Sequence, residues 1–259
     1  SMALGAGANA TNSSAYAAGQ GAQASGSNAM ALGTQAIASN DSAYAAGHSA
    51  NASGANATAL GTQAKASGSD AYAVGFQANA SAGNALAFGT QANARGINSF
   101  ATGANALATS TNSMALGSNA SSTAVNAFSA GVNSTARATN AMAFGADANA
   151  SAIGSIAIGV ATQTTALNAV AIGTDADATG IDSVALGYAA LASADQTFAA
   201  GAKATASAEA AIAIGYNAIA NQTSATALGQ QAKATANGSI AIGNLANADA
   251  NQAIAIGDR

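Results

Sequence analysis

The sequence has no cysteine, no proline and no tryptophan. Without Cys there is no disulfide framework and no thiolate metal site; such a chain is compatible with an oxidising exterior but does not require one. Charged residues make up 6% and aromatics 4% of 259 positions, where about a quarter charged is usual. Six Lys and Arg, scattered, cannot form a nucleic-acid footprint. No run of 18 apolar residues exists, so no apolar helix is available to span a bilayer. Much of the 50% hydrophobic content is Ala, which buries little area per residue, so a conventional globular core is hard to build. Disorder does not follow either: it usually brings Pro, high net charge and no regular spacing, whereas the net charge here is −4 and Pro is absent.

What the chain has in excess is a repeat. Starting from Gly33 and stepping by 14 in both directions lands on Gly5, Gly19, Gly47, Gly61 and so on to Gly257, nineteen glycines without insertion or deletion. No linker or composition break interrupts them, so one domain covering 1–259 is expected. The residue two before each Gly is Ala except at Ser129, and the residue four before is Ala, Ser or Thr197. Three and five after the Gly are Ala except at Ser134, Thr162, Ser122 and Thr164. One and three before it are larger and mostly apolar; two, four and six after it are mostly polar, as in Gln63, Lys65 and Ser67.

A helix fits poorly, because Gly costs about 0.8–1 kcal/mol relative to Ala in a helix interior and recurs in every window. The charges that flank a coiled-coil seam are missing as well. Alternation of small and large residues before the Gly has the two-residue period of a strand, and alternation of Ala with polar residues continues for about five positions after it. Each coil then holds two short strands, with one turn at the Gly and another at triplets such as Asn40-Asp41-Ser42. Stacked coils pair each strand with its equivalent 14 residues on. The predicted fold is all-β: a parallel β-roll, or solenoid, of about 18 fourteen-residue coils, roughly 85–90 Å long at ~4.8 Å per strand.

Fourteen residues per coil leave a narrow interior, so the Ala columns are expected inside. Parity then turns the larger residues outward as an apolar stripe, larger than a soluble monomer tolerates. The simplest cover is the same stripe on other copies. The predicted subunit-interface core is Met30, Leu32, Tyr44, Leu60, Tyr72, Leu86, Phe88, Phe100, Met114, Leu116, Phe128, Met142, Phe144, Ile156, Ile158, Val170, Ile172, Val184, Leu186, Phe198, Ile212, Ile214, Leu228, Ile240 and Ile242. Volumes compensate within layers: Tyr44, Phe128 and Phe198 precede Ala46, Ala130 and Ala200, and Thr226 precedes Leu228. Such matching is what a close-packed shared core needs. The polar columns would face water.

The coils Ser155-Ile156-Ala157-Ile158-Gly159, Ser183-Val184-Ala185-Leu186-Gly187 and Ser239-Ile240-Ala241-Ile242-Gly243 resemble the SVAIG-type repeat of YadA-like heads from trimeric autotransporter adhesins. That resemblance covers essentially the whole chain. It implies a left-handed roll, a homotrimer, and display outside the cell, projected from the outer membrane of a Gram-negative bacterium. It also implies attachment to host cells or to matrix proteins such as collagen, fibronectin or laminin, with autoagglutination. Neck motif, heptad stalk and membrane anchor are not seen in this stretch, so it is expected to be a head segment of a longer adhesin. An alternative is an ice-binding or purely structural solenoid, although a regular array of Thr is missing from the outward columns.

Candidates for chemistry are few. His48 is the single histidine, just after Gly47, and reads as a surface or near-axis polar residue rather than a base or ligand. Asp175 and Asp177 share an i, i+2 spacing that suits paired carboxylates, but both fall in outward columns and read as a solvated pair. No catalytic group, cofactor site or metal site is expected, and the chain is read as non-enzymatic. Asn-x-Ser/Thr triplets are frequent only because Asn and Ser columns lie two apart.

Overall fold

The computed structural model describes residues 1–258, and the chain divides into two compact units, residues 1–129 and 130–259. Neither contains a helix among the described residues. Each is a parallel β-solenoid of 14-residue coils. In the first unit, Met30–Leu32 pairs with Tyr44–Ala46, Met30 opposite Tyr44 and Leu32 opposite Ala46. The second strand of the same coil, Ile37–Ala38, pairs with Asn51–Ala52. The second unit repeats this plan: Ile156–Ile158 lies beside Val170–Ile172, and Asp177–Ala178 beside Leu191–Ala192. The offset is 14 residues in each case, as the glycine spacing predicts.

The stretch after the glycine departs from expectation. Alternation over about five residues predicts a strand of that length, but the strand is two residues long. Two positions are spent on the turn. Its closing bond runs from the Ala36 N–H to the Gly33 carbonyl at 3.2 Å. Gln35, the third turn residue, has φ 58°. The second turn is built alike: Ala43 N–H donates to the Asn40 carbonyl at 3.1 Å, and Ser42 has φ 53°. A coil is therefore two seven-residue halves, each a tight turn followed by a short strand. Turns with a positive φ at the third residue favour Gly and Asn, which explains the Asn, Asp, Gln and Ser that crowd these two columns.

The turns belong to the ladder as well. Gln63 N–H donates to the His48 carbonyl at 2.8 Å, and Gly61 N–H to that of Ala46 at 2.8 Å. Backbone groups that a loop would leave to water are paired from coil to coil. Side-chain amides add a second ladder. Asn84 donates to Asn98, Asn98 to Asn112 and Asn112 to Asn126, at 3.1, 3.3 and 3.1 Å. On the other turn, Gln91 donates to Gln77 and Gln77 to Gln63, at 3.0 and 2.8 Å.

The lumen holds methyl-sized groups. Ala31, Ala36, Ala38 and Ala45 are fully buried, and their Ala equivalents are buried along both units except in the terminal coils, where Ala3 is exposed and Ala255 half-buried. The largest fully buried side chains are Thr162, Thr164 and Thr197, so nothing larger than Thr enters. Ser122 and Ser129 place their hydroxyl oxygens 2.8 Å apart. That contact joins the row on the short strand to the row on the long strand, and shows that the two rows face each other across the interior. Hydroxyls taken inside find backbone partners: Ser113 donates to the Ser110 carbonyl, Ser183 to that of Gly180 and Thr197 to that of Ala194, each at 2.6 Å. Pairing these hydroxyls locally avoids the cost of a buried unpaired polar group, a cost that Ser99, whose buried hydroxyl has no partner, still bears.

Candidate functional site

With the lumen closed to large side chains, the apolar residues of the long strand can only project from its outer side. The structure places every predicted interface residue there, and none in the interior. Met30, Tyr72, Met114, Ile158, Ile172, Ile212, Ile214 and Ile242 are exposed on the single chain, and the other predicted residues are half-buried against their ladder neighbours. Ile158, Ile172 and Ile214 are 38%, 42% and 39% exposed, too much for β-branched side chains that had found a packed core. The face is continuous within each unit because parallel pairing stacks like column on like column.

Packing inside the stripe is also diagonal. Phe88 and Phe100 meet edge to face, with ring centroids 6.0 Å apart and planes at 80°. Phe88 is one before its glycine and Phe100 three before the next, so this contact links adjacent coils. Its ladder partner, Thr102, is small and leaves room for it. Edge-to-face geometry is a favoured aromatic pairing.

Sequence reasoning missed a second apolar row. Eight residues after the glycine, at the other turn, Ile97 and Val125 in the first unit and Ile153, Leu167 and Ile181 in the second are exposed by 43–55%. Phe76, Tyr188 and Tyr216 are exposed just after a glycine. Reading those columns for size rather than for turn chemistry would have found them.

The residues weighed for chemistry stay apart from any built site. His48 is exposed at its turn, and the described residues contain no group of three or more His, Cys, Asp or Glu able to hold a metal. Asp175 and Asp177 do not share a strand as their spacing suggested: Asp175 is the positive-φ residue of the turn, at φ 54°, and Asp177 opens the short strand. Partial burial, and then the charge of Asp175, push the Asp177 carboxyl above its ordinary value. Among the described residues no helix is long and apolar enough to cross a membrane, which says nothing about β-barrels.

The stripe thus extends along both units, built by the same five-residue pattern from coil to coil. Comparison with curated proteins gives no match. The YadA head domain repeat, taken two copies at a time, matches thirteen partly overlapping segments, from 10–36 to 234–259. These segments tile nearly all of the chain in the phase of the glycine ladder. The chain belongs to the YadA head domain repeat family.

Proposed function

We propose that this chain is the adhesive head of a trimeric autotransporter, a non-enzymatic module that three copies form by burying their outer stripes against one another. The observation that carries this reading is the inversion of the fold: the lumen accepts only Ala, Ser and Thr, while Ile158, Ile172 and Ile214 stand outside. Burial of each such side chain contributes about 1.5–3 kcal/mol, and every coil repeats the gain. Family membership supports the adhesive role, display outside a Gram-negative outer membrane, and attachment to host cells or matrix proteins of the collagen, fibronectin or laminin class. A long array of near-identical coils also suits adhesion physically, since many weak equivalent contacts sum to avidity.

Sedimentation equilibrium of the purified chain tests the assembly, with three times the chain mass expected and a stable folded monomer fatal to it. Surface binding to immobilised collagen, fibronectin and laminin tests the role. Failure on all three, and on whole host cells, would remove the adhesive reading while leaving the assembly standing.

A further inference from the structure

Between the turn row two residues after each glycine and the strand row four after it runs a shallow groove on the short-strand side of the roll. In the first unit its walls are neutral over Gln23, Gln35, Ile37, Ser49 and Asn51, and Lys65 is the one cation that unit adds to these two columns. In the second unit the same groove carries Lys203 and Lys233, with Asn217, Ile219, Gln231 and Leu245 around them. Two of the six cationic residues in an acidic chain therefore flank one groove. Among the described residues neither ammonium is held in an ion pair. The nearest acids in these columns, Asp175 and Asp177, lie two coils earlier and bound the site on that side; beyond it, Asp249 accepts from the Asn247 amide at 3.4 Å. The groove lies across the lumen from the apolar stripe, so burying the stripe leaves it open.

We infer that this groove binds an acidic polysaccharide, with Lys203 and Lys233 pairing to successive carboxylate or sulfate groups. Two coils separate the lysines, about 10 Å along the ladder. A polymer with one anion per disaccharide spaces its charges over two sugar rings, a similar distance. The polar groups on offer are side chains: the amides of Asn217 and Gln231 and the ammonium groups suit hydroxyls and anions. Main-chain groups are committed already: the Asn217, Ile219, Gln231 and Lys233 N–H groups all donate within the coil ladder at 2.8–3.0 Å. A peptide seeking to add a strand finds no free backbone edge there. Two isolated lysines are also too few to hold a nucleic-acid backbone.

An adhesive head would meet such polymers on the surfaces it attaches to, so the site rests on that reading for its setting; the two fail separately, because matrix-protein binding does not require these lysines. The test uses the full chain and four immobilised probes: heparin for sulfate, hyaluronan for carboxylate, neutral dextran and poly-L-glutamate. Binding to heparin, hyaluronan or both is expected, weakening as salt rises, with none to dextran. K203Q/K233Q should lower that affinity by at least about tenfold, while K65Q, in the same column of the first unit, should not. Gln already occupies both columns elsewhere, at Gln35 and Gln23, so these variants should keep the wild-type melting temperature. No binding to either polysaccharide, an equal loss in K65Q, or poly-L-glutamate bound as tightly as the polysaccharides would overturn the inference.

Discussion

A Cβ on Gly33 would lie 2.7 Å from the carbonyl oxygen of Gly47, one coil above it. Gly33 also has φ +127°, outside the range that L side chains adopt. Both constraints recur because each glycine stacks on the next, and neither can relax without moving a ladder of backbone hydrogen bonds. Gly33→Ala should therefore destabilise the first unit by about 2–4 kcal/mol. Thermal unfolding would show this as a lower melting temperature, with hydrogen exchange accelerated at Gln35 and Ser49. An unchanged melting temperature would mean that the stack is looser than these distances.

The lumen gives a second prediction from added volume. Ala45 is fully buried between two rows of methyl groups. Ala45→Leu adds three carbons where no larger side chain than Thr is found, and should cost at least about 1–3 kcal/mol, the usual penalty of overpacking. Leu32→Ala, on the outer side of the neighbouring coil, should leave the folding of a single coil intact and weaken assembly instead. Chemical denaturation of both variants, followed alongside sedimentation, separates the two effects.

The amide ladder can be dissected at one residue. Asn98 accepts from Asn84, donates to Asn112 and holds φ 56°. Asn98→Ala removes both bonds and keeps a side chain poorly suited to that backbone region, for a cost of about 1–2 kcal/mol. Asn98→Gly loses the same bonds but none of the conformational fitness, as Gly154 and Gly238 in that column indicate. The glycine variant should fall between wild type and the alanine variant in denaturation midpoint. The reverse order would assign the column's preference to something other than backbone conformation.

Acid should affect the two units differently. The Asp177 carboxyl is raised above its ordinary 3.8 by burial and by Asp175, so the fold favours its protonated form. Its contribution is fully present below pH 3.8 and is lost as pH rises through the higher folded value. Asp177→Asn, a residue this column already carries at Asn79, Asn93 and Asn149, should raise the melting temperature at pH 7 and leave it unchanged at low pH. A melting temperature unaffected at both pH values would remove the buried-carboxylate account.

The features that announce themselves in the sequence are those where every coil faces one identical demand. Gly at the stack and Ala in the lumen admit almost no substitute, so their columns are nearly pure and their spacing is the fold. The positive-φ turn row hides because several chemistries meet its need: Gln35, Ser49, Asn105, Asp147, Lys203 and even Leu245 all adopt φ of 55–60° there. Parity misled in the same place. Ala36 and Ala38 alternate with Gln35 and Ile37 as a strand would, yet Gln35 is in a turn. The columns of Lys203 and Lys233 follow from the spacing, but the groove between them does not, since its depth depends on the turn that the alternation concealed.

The facing of the long strand can be tested by one contrast. Ile156 and Ile158 sit on the outer stripe, half-buried and exposed respectively on the single chain. Gln63 sits at a turn, exposed, with its carbonyl accepting from the Gln77 amide at 2.8 Å. If the chains assemble through this stripe as proposed, Ile156→Asp with Ile158→Asp would put carboxylates from every chain into one shared apolar core. Unpaired buried charge there costs far more than the side-chain burial it replaces, so the assembly should dissociate or unfold. Gln63→Asp loses one exposed hydrogen bond at a column where Asp147 and Asp175 are already tolerated, and should change stability by no more than about 0.5 kcal/mol. Sedimentation equilibrium and thermal melts of both proteins decide the matter: equal effects would show that the stripe is not what the chains share.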